Sequence, residues 1–490
     1  MALPPRPKHV GILAMEAYFP SRFVAQTDLE TADGCPGKYT SGLGQQKIAF
    51  VDDREDIGSI LLSAFSALLD KYGLDPKSIG RLEVGTETLV DKSKSVKTTL
   101  LRLLGPNNAN VEGVTSTNAC YGGTAALLNS VAWVQSEAWD GRYAVVLCGD
   151  IAVYQTPPGQ KCGSARATQG CGAVAMLIGP DAPLALEVPR ASHAMDVWDF
   201  YKPHHSEFAE VDGAMSQTCY LQSVDECYRG YQARAARHFG GKPVTVDWFD
   251  HLCFHSPYHK LVSKGFARLL YIDFRAASGG AEDFLDETNA DEAAALSKAA
   301  QLAAATVCPE DEKLASLLLP FATDKLEYEA SLEDRGLDAA LRKVGAAKFK
   351  AKTGPSSRAS IEVGNTYTGA VFVNLLSLVC HAETTELEGQ RIGLFSYGSG
   401  SVATLYSIAA RSPESSPFSL ERIKATVKLE ERLRARKQAT VEEFTAAMEL
   451  RAVRYGTCGY EPTGPVANVA PGSFYLAAIN EKHHRAYAKA

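Results

Sequence analysis

Apolar positions along the chain follow two periods. Ala144-Val145-Val146-Leu147-Cys148 is short, continuously apolar and β-branched in its middle, which predicts a strand buried on both faces. The apolar run that follows Lys8, interrupted by Glu16, predicts the first buried strand. Residues 56–72 instead carry Ile57, Ile60, Leu61, Phe65, Leu68 and Leu69 at helical spacing, with Gly73 placed to stop the helix. A helix is expected over 120–139 with Asn118 as its N-cap, a strand over Val402–Ile408, and a last strand at Ser473-Phe474-Tyr475-Leu476. Short β-rich runs alternating with amphipathic helical runs predict an α/β fold.

Part of the pattern occurs twice. Gly170-Cys171-Gly172-Ala173-Val174-Ala175-Met176-Leu177 is similar to Gly398-Ser399-Gly400-Ser401-Val402-Ala403-Thr404-Leu405. Upstream of these, in the same order, lie Asn118-Ala119-Cys120-Tyr121-Gly122-Gly123 and Asn365-Thr366-Tyr367-Thr368-Gly369-Ala370, each opening a small-residue, helix-like run. The repetition predicts one α/β unit duplicated, against the alternative of chance likeness between Gly/Ala-rich stretches. The expected halves are 1–182, with Glu87 and Cys120, and 183–490, with His255 and Asn365. Residues of about 275–355, rich in Ala, Glu, Asp and Lys, read as a helical insertion in the second half.

Composition narrows the function. At 490 residues and 46% hydrophobic the chain can bury a large core, and a net charge of −7 supplies no basic excess for nucleic acid. Eleven cysteines without a CxxC pair point to reduced thiols inside a cell. No apolar stretch reaches membrane-spanning length, since 369–382 is broken by Asn374 and Ser377. The N-terminal residues lack an Arg/Ser-rich presequence, so the expected compartment is the cytosol, with no membrane partner.

Three segments could carry chemistry. Cys120 at the start of a helix would have its thiolate favoured by unpaired N–H groups and the helix dipole, although a small core cysteine fits the position equally well. Glu87, delivered at the C-terminal end of a strand through Leu82–Thr88, could act as general acid or base in a dry pocket, or stand as a solvated loop residue. In Asp250–Lys260 three histidines at spacings of four could hold a metal on a helix, but Pro257 spoils that helix. The better parse is a strand ending in His255, a turn, and a helix bearing Lys260 and Lys264. His255 could then polarise a carbonyl or be a satisfied structural imidazole. Gly398-Ser399-Gly400 and Gly37-Lys38-Tyr39-Thr40 both fail as nucleotide motifs.

In chain order, GKYTSGLGQ (37–45), DREDI (53–57), EVGTETLVDKSKSVKT (83–98), TNACYGGTAAL (117–127), GDIAVY (149–154), DFYKP (199–203), HSPYHKLVSK (255–264), GNTYTGAVF (364–372), SYGSGSVATLYS (396–407) and EKHHRAYA (481–488) together resemble the hydroxymethylglutaryl-CoA synthase family. The resemblance implies a thiolase-like, five-layered αβαβα duplicated fold. It implies Cys120 as nucleophile, Glu87 as general acid/base and His255 as the residue positioning acetoacetyl-CoA. It further implies CoA contacts at Lys260 and Lys264, substrate-pocket positions at Thr168, Ser216, Asn365 and Ser396, and support from Asp150 and Asp199. The substrates would be acetyl-CoA and acetoacetyl-CoA, with no metal or other cofactor, and the protein a homodimer. Backbone N–H groups near 398–400 are the expected oxyanion donors. The chain departs from the family pattern in a long Gln155–Arg166 segment, in Gln169, in Cys35-Pro36 and in His259. Competing readings are a ketoacyl synthase, a biosynthetic thiolase, a non-enzymatic acyl-CoA-binding subunit, and a relative acting on carrier-protein-bound acyl groups.

Overall fold

The protein is described from a computed structural model covering residues 6–154, 164–203, 206–278, 301, 304–309, 311–323, 327–413 and 416–490. Nine strands form its main sheet: β1 (Gly11–Tyr18), β2 (Ile79–Gly85), β3 (Thr115–Ser116), β4 (Tyr143–Ala152), β5 (Gly170–Gly179), β6 (Leu184–Ala194), β7 (His251–Phe254), β8 (Arg391–Gly398) and β9 (Val402–Ala410). Their spatial order is β7-β8-β9-β6-β1-β5-β4-β2-β3. The helices that position the site are α1 (Ile57–Tyr72), α2 (Gly122–Val134), α3 (Gly213–His238), α4 (His259–Ala277), α5 (Ala346–Val363), α6 (Ala370–His381) and α7 (Val441–Arg454).

The duplication is visible in the pairing. Strands β1-β5-β4-β2 repeat as β6-β9-β8-β7, and each junction repeats its sense: antiparallel, antiparallel, then parallel. The copies meet where β1 and β6 pair antiparallel through Gly11↔Ala185 and Ile12↔Leu184. A Cβ on Gly11 would lie 2.1 Å from the Leu184 carbonyl oxygen, so that crossing requires glycine.

Side-chain alternation sorts the strands into layers. On β4, Ala144, Val146 and Cys148 enter a central cluster, whereas Val145, Leu147 and Ile151 face an outer one with α1. On β8, Ile392 and Leu394 face the same central cluster, while Phe395 and Tyr397 pack with α3 and α4. Helices α2 and α6 fill the centre between the half-sheets. The order α1, half-sheet, α2 with α6, half-sheet, α3 with α4 is the expected αβαβα arrangement. Both sheet faces are covered, which explains the continuous apolar runs. Helix α1 matches its prediction: Asp56 and Ser59 form a capping box, and Gly73 adopts φ +63° at the C-terminus.

Some boundaries differ. Helix α2 begins at Gly122, not 120, and ends at Val134, not 139. Phe474–Ile479 is followed by one more strand, Arg485–Lys489, paired antiparallel with it, so it is not the last. The described part of the expected insertion is helical, including Tyr328–Glu333 and Arg335–Val344, but position 355 falls inside α5. Residues 279–300 of that insertion and 155–163 of the long segment lie outside the described residues. No helix among the described residues is long and apolar enough to cross a membrane, and they hold no His/Cys/Asp/Glu cluster suited to a metal.

Candidate active site

Asp150 is the hub of the site. It is fully buried near the C-terminal end of β4. Its Oδ1 accepts from Thr86 Oγ1 (2.6 Å), Glu87 N (2.8 Å), Thr88 N (2.9 Å) and Thr88 Oγ1 (2.8 Å), and its Oδ2 from Thr368 N (3.0 Å) and Thr368 Oγ1 (2.6 Å). One carboxylate thus shapes the turn after β2 and ties it to the segment that opens α6 in the other half. Such charge-assisted bonds are the strong ones, and removing the acceptor would strand several buried donors.

That turn aims Glu87 at Cys120: the thiol donates to Glu87 Oε1 at 3.4 Å. Burial pushes the Glu87 carboxyl up to about 7, opposed by the Lys202 charge. The Cys120 thiol is pushed well above its ordinary value, first by burial and then by Glu87 and Asp150. This corrects the expected helix-stabilised thiolate. Cys120 precedes α2 by two residues, because the Gly122-Gly123 start of that helix is pressed against the other half: a Cβ on Gly123 would sit 2.3 Å from the Thr368 carbonyl oxygen. Asn118 is not the N-cap either; Tyr121 occupies that position without a side-chain bond, and the Asn118 carboxamide reaches Ser399 O at 3.4 Å. The chain enters Cys120 through Ala119 at φ +41°, a left-handed conformation that a non-glycine residue holds only at a cost of roughly 1–3 kcal/mol.

The second half carries most of the remaining expected residues. His255 follows β7, buried, its N–H donating to Phe395 O at 2.7 Å and its carbonyl accepting from Tyr220 OH at 2.8 Å. Burial lowers its imidazole to about 3, so it is neutral at working pH. Its ring lies near-parallel to Tyr397, with centroids 6.5 Å apart, and Tyr397 OH donates to Asp199 Oδ2 at 3.0 Å. Asp199 Oδ1 accepts from Gly400 N at 2.8 Å. That N–H is therefore committed and is not an oxyanion donor, which narrows the expectation for 398–400; Ser399 does line the cavity in front of Glu87. Asn365 is buried with Oδ1 turned onto Tyr367 N at 2.8 Å, leaving its amide hydrogens for another partner. Ser396 lies buried in β8 opposite Thr404. Thr168 donates to Ala165 O at 2.8 Å. Gln169, the departure from the family pattern, is buried, and its carbonyl accepts from Asn365 N at 3.3 Å across the two halves.

Ser216 lies on α3, and Lys260 and Lys264 lie on α4. Lys264 Nζ donates to the Oε1 of Gln217, the neighbour of Ser216, at 3.1 Å, and burial lowers its ammonium. His259 N donates to Gln45 Oε1 at 3.1 Å, which brings the GKYTSGLGQ segment to the start of α4.

The residue that sequence reasoning missed is Lys202. It lies within DFYKP, yet nothing in that motif distinguished its ammonium from a surface charge. Its Nζ is 3.4 Å from Glu87 Oε2. Glu87, Phe200, Lys202, Ser206 and Ser399 help line a cavity of about 290 Å³ in front of Glu87.

Comparison with known proteins identifies close resemblances. The family model described as hydroxymethylglutaryl-coenzyme A synthase N terminal matches residues 6–183, and its C-terminal counterpart matches 184–304 and 305–490. The chain is 40% identical to a hydroxymethylglutaryl-CoA synthase of Mycosarcoma maydis, covering 99% of this chain and 98% of that one. It is 41% identical to the mitochondrial hydroxymethylglutaryl-CoA synthase of Homo sapiens (99% and 90%) and 42% identical to the cytoplasmic one of Pongo abelii (99% and 88%). Among solved structures, MvaS in complex with 3-hydroxy-3-methylglutaryl coenzyme A superposes with TM-score 0.78 at 30% identity, over 99% of this chain and all of that one. The HMG synthase of the curacin biosynthetic pathway, at 21% identity and TM-score 0.73, shares the fold.

Proposed function

The chain belongs to the hydroxymethylglutaryl-CoA synthase family, and from that premise we propose how its residues perform the condensation. The protein condenses acetyl-CoA with acetoacetyl-CoA and water, giving (3S)-hydroxymethylglutaryl-CoA and CoA in the mevalonate pathway. Cys120 attacks the acetyl thioester and holds the acetyl group, its thiol proton leaving with CoA. Glu87 takes a proton from the acetyl methyl, a weak carbon acid that calls for a base in a dry pocket. The resulting carbanion equivalent bonds to the ketone carbon of acetoacetyl-CoA. Neutral His255 polarises that ketone as a hydrogen-bond donor, Asn365 assisting, and Glu87 returns its proton to the new alkoxide. Water then cleaves the Cys120 thioester.

The observation that carries this reading is the 3.4 Å contact between the Cys120 thiol and a buried Glu87 whose carboxyl titrates at about 7. Lys260, Lys264 and Ser216 bind the CoA of the incoming substrate, while Thr168 and Ser396 line the pocket; the Lys264–Gln217 pair beside Ser216 supports this. Asp150 and Asp199 hold the two walls, and no metal or further cofactor takes part. Two halves, 1–182 and 183–490, in a homodimer complete the proposal. We place the enzyme in the cytosol; its relatives include both cytoplasmic and mitochondrial forms.

Purified protein is given acetyl-CoA and acetoacetyl-CoA, with Cys120→Ala and Glu87→Ala alongside. Wild type is expected to release free hydroxymethylglutaryl-CoA, and Cys120→Ala to remain unacetylated. Glu87→Ala is expected to acetylate without condensing, because removing the carboxylate also removes a charge that holds the thiol up. Condensation only onto a carrier protein would replace free CoA as the substrate carrier, and absence of acetylation in wild type would sink the mechanism.

A further inference from the structure

Lys202 is an ammonium placed where one is costly. Its side chain is 12% exposed, and among the described residues its buried Nζ has no acceptor in good hydrogen-bond geometry. What it meets is Glu87 Oε2 at 3.4 Å, the Tyr367 ring at 5.1 Å and the Phe200 ring at 6.0 Å. A buried cation without a nearby opposite charge costs several kcal/mol, so its location rests on Glu87 and on the two aromatic faces.

The segment that carries it is fastened at both ends. Phe200 and Tyr201 pair antiparallel with Val211 and Glu210. Before them, Asp199 binds Tyr397 OH and Gly400 N. After them, buried Glu207 pairs with Arg451, whose Nη1 donates to Asp52 O and Glu55 O at 2.8 Å each. Two buried carboxylates, one bonded to the β8–β9 turn and one to α7, therefore fix where the ammonium stands.

We propose that Lys202 is a positioning residue of this reaction, supplying the positive charge that keeps the Glu87 carboxylate aimed and ionised through the condensation step. The inference rests on the condensing role given to Glu87 above. Its force comes from the order of events. In the resting enzyme two groups hold the Glu87 oxygens: the Cys120 thiol on Oε1 and Lys202 on Oε2. Once Cys120 is acetylated its proton is gone, and Oε1 is left facing the acetyl group whose methyl it must deprotonate. Among the described residues the other titratable groups acting on Glu87 are Asp150 on β4, Tyr154 beyond it and Tyr367 before α6, none of them a cation. Among the described residues Lys202 is then the cation that remains, so its loss should weigh on condensation more than on acetylation.

The test compares Lys202→Met and Lys202→Arg with wild type. Acetyl-enzyme is formed from labelled acetyl-CoA, and its condensation with acetoacetyl-CoA is followed from pH 6 to pH 9. Lys202→Met is expected to acetylate but to condense about fivefold more slowly at pH 7. Its half-maximal pH should rise by about one pH unit, the rate recovering in alkali, as for a carboxylate that has lost a cation at this range. Lys202→Arg should keep the wild-type midpoint. Alkylation of Cys120 by iodoacetamide, followed against pH, needs no turnover and so separates this inference from the activity itself. Lys202 also steadies the thiolate, so the alkylation midpoint should rise in Lys202→Met and hold in Lys202→Arg. An unshifted midpoint in both assays for Lys202→Met, or an equal loss of rate at every pH, overturns the proposal. If Lys202→Met does not fold, the arginine variant decides, and a displaced midpoint there counts against it.

Discussion

His255 and Glu87 are ordinary side chains whose charged forms the fold disfavours. Burial holds the His255 imidazole near 3 and the Glu87 carboxyl near 7. The consequences for stability have opposite signs. Between about pH 6.5 and 3 the unfolded chain binds a proton on His255 that the folded chain refuses, so this contribution falls as pH falls. Between 4.5 and 7 folded Glu87 keeps a proton that the unfolded chain releases, so its contribution is present at low pH and lost as pH rises. The His255→Asn variant should therefore show a flatter acid limb in Tm measured from pH 7 to pH 4, its gap to wild type closing or reversing towards pH 4. Parallel curves would mean that His255 takes up its proton in the fold as readily as in the unfolded chain. The residue types at 87, 120 and 255 were legible in the motifs. Their protonation states were not, because desolvation depends on what packs around a group, and here the packing comes from residues far away in the chain.

At the scale of elements, periodicity located the cores of helices and strands and missed where they begin. Residues 120–139 read as one helix, yet α2 starts at Gly122 because its glycines must touch Gly85 and Thr368. That small difference moves Cys120 out of the helix and under the influence of Glu87. The C-terminal region shows the same limit. Nothing in its sequence announced that α7 would send Arg451 into the core, 6% exposed, to join Glu207 to the backbone of 52–55. Replacing it by leucine strands Glu207 as a buried, unpaired carboxylate. Arg451→Leu should cost about 3–5 kcal/mol in urea unfolding and slow condensation through the Lys202 segment. A loss below about 1 kcal/mol would show that the pair is dispensable.

For the whole molecule, the sheet order gives each half the same four strands and leaves β3 at a free edge of the β2 side. Neighbouring Val114 is 53% exposed. An unpaired edge with an apolar neighbour is a surface that a second copy can extend. Light scattering should report twice the chain mass, and Val114→Lys should shift the protein towards monomer. A wild-type monomer at micromolar concentration would remove the homodimer from the proposal.

The sequence by itself determined the α/β class, the duplication, the central apolar strands and the candidates for the reacting side chains. These follow from local periodicity, from repeated order and from ten motifs spread over the chain. The tertiary structure alone decided that Asp150 ties the two halves together, that Gly400 N–H is taken by Asp199, that the Cys120 thiol is bonded to Glu87, and that Lys202 faces the same carboxylate. Each of those contacts joins residues dozens to hundreds of positions apart. Linear patterning records which face of an element is buried, whereas the partner across the interface, and with it the local charge, is set when the two halves close on one another.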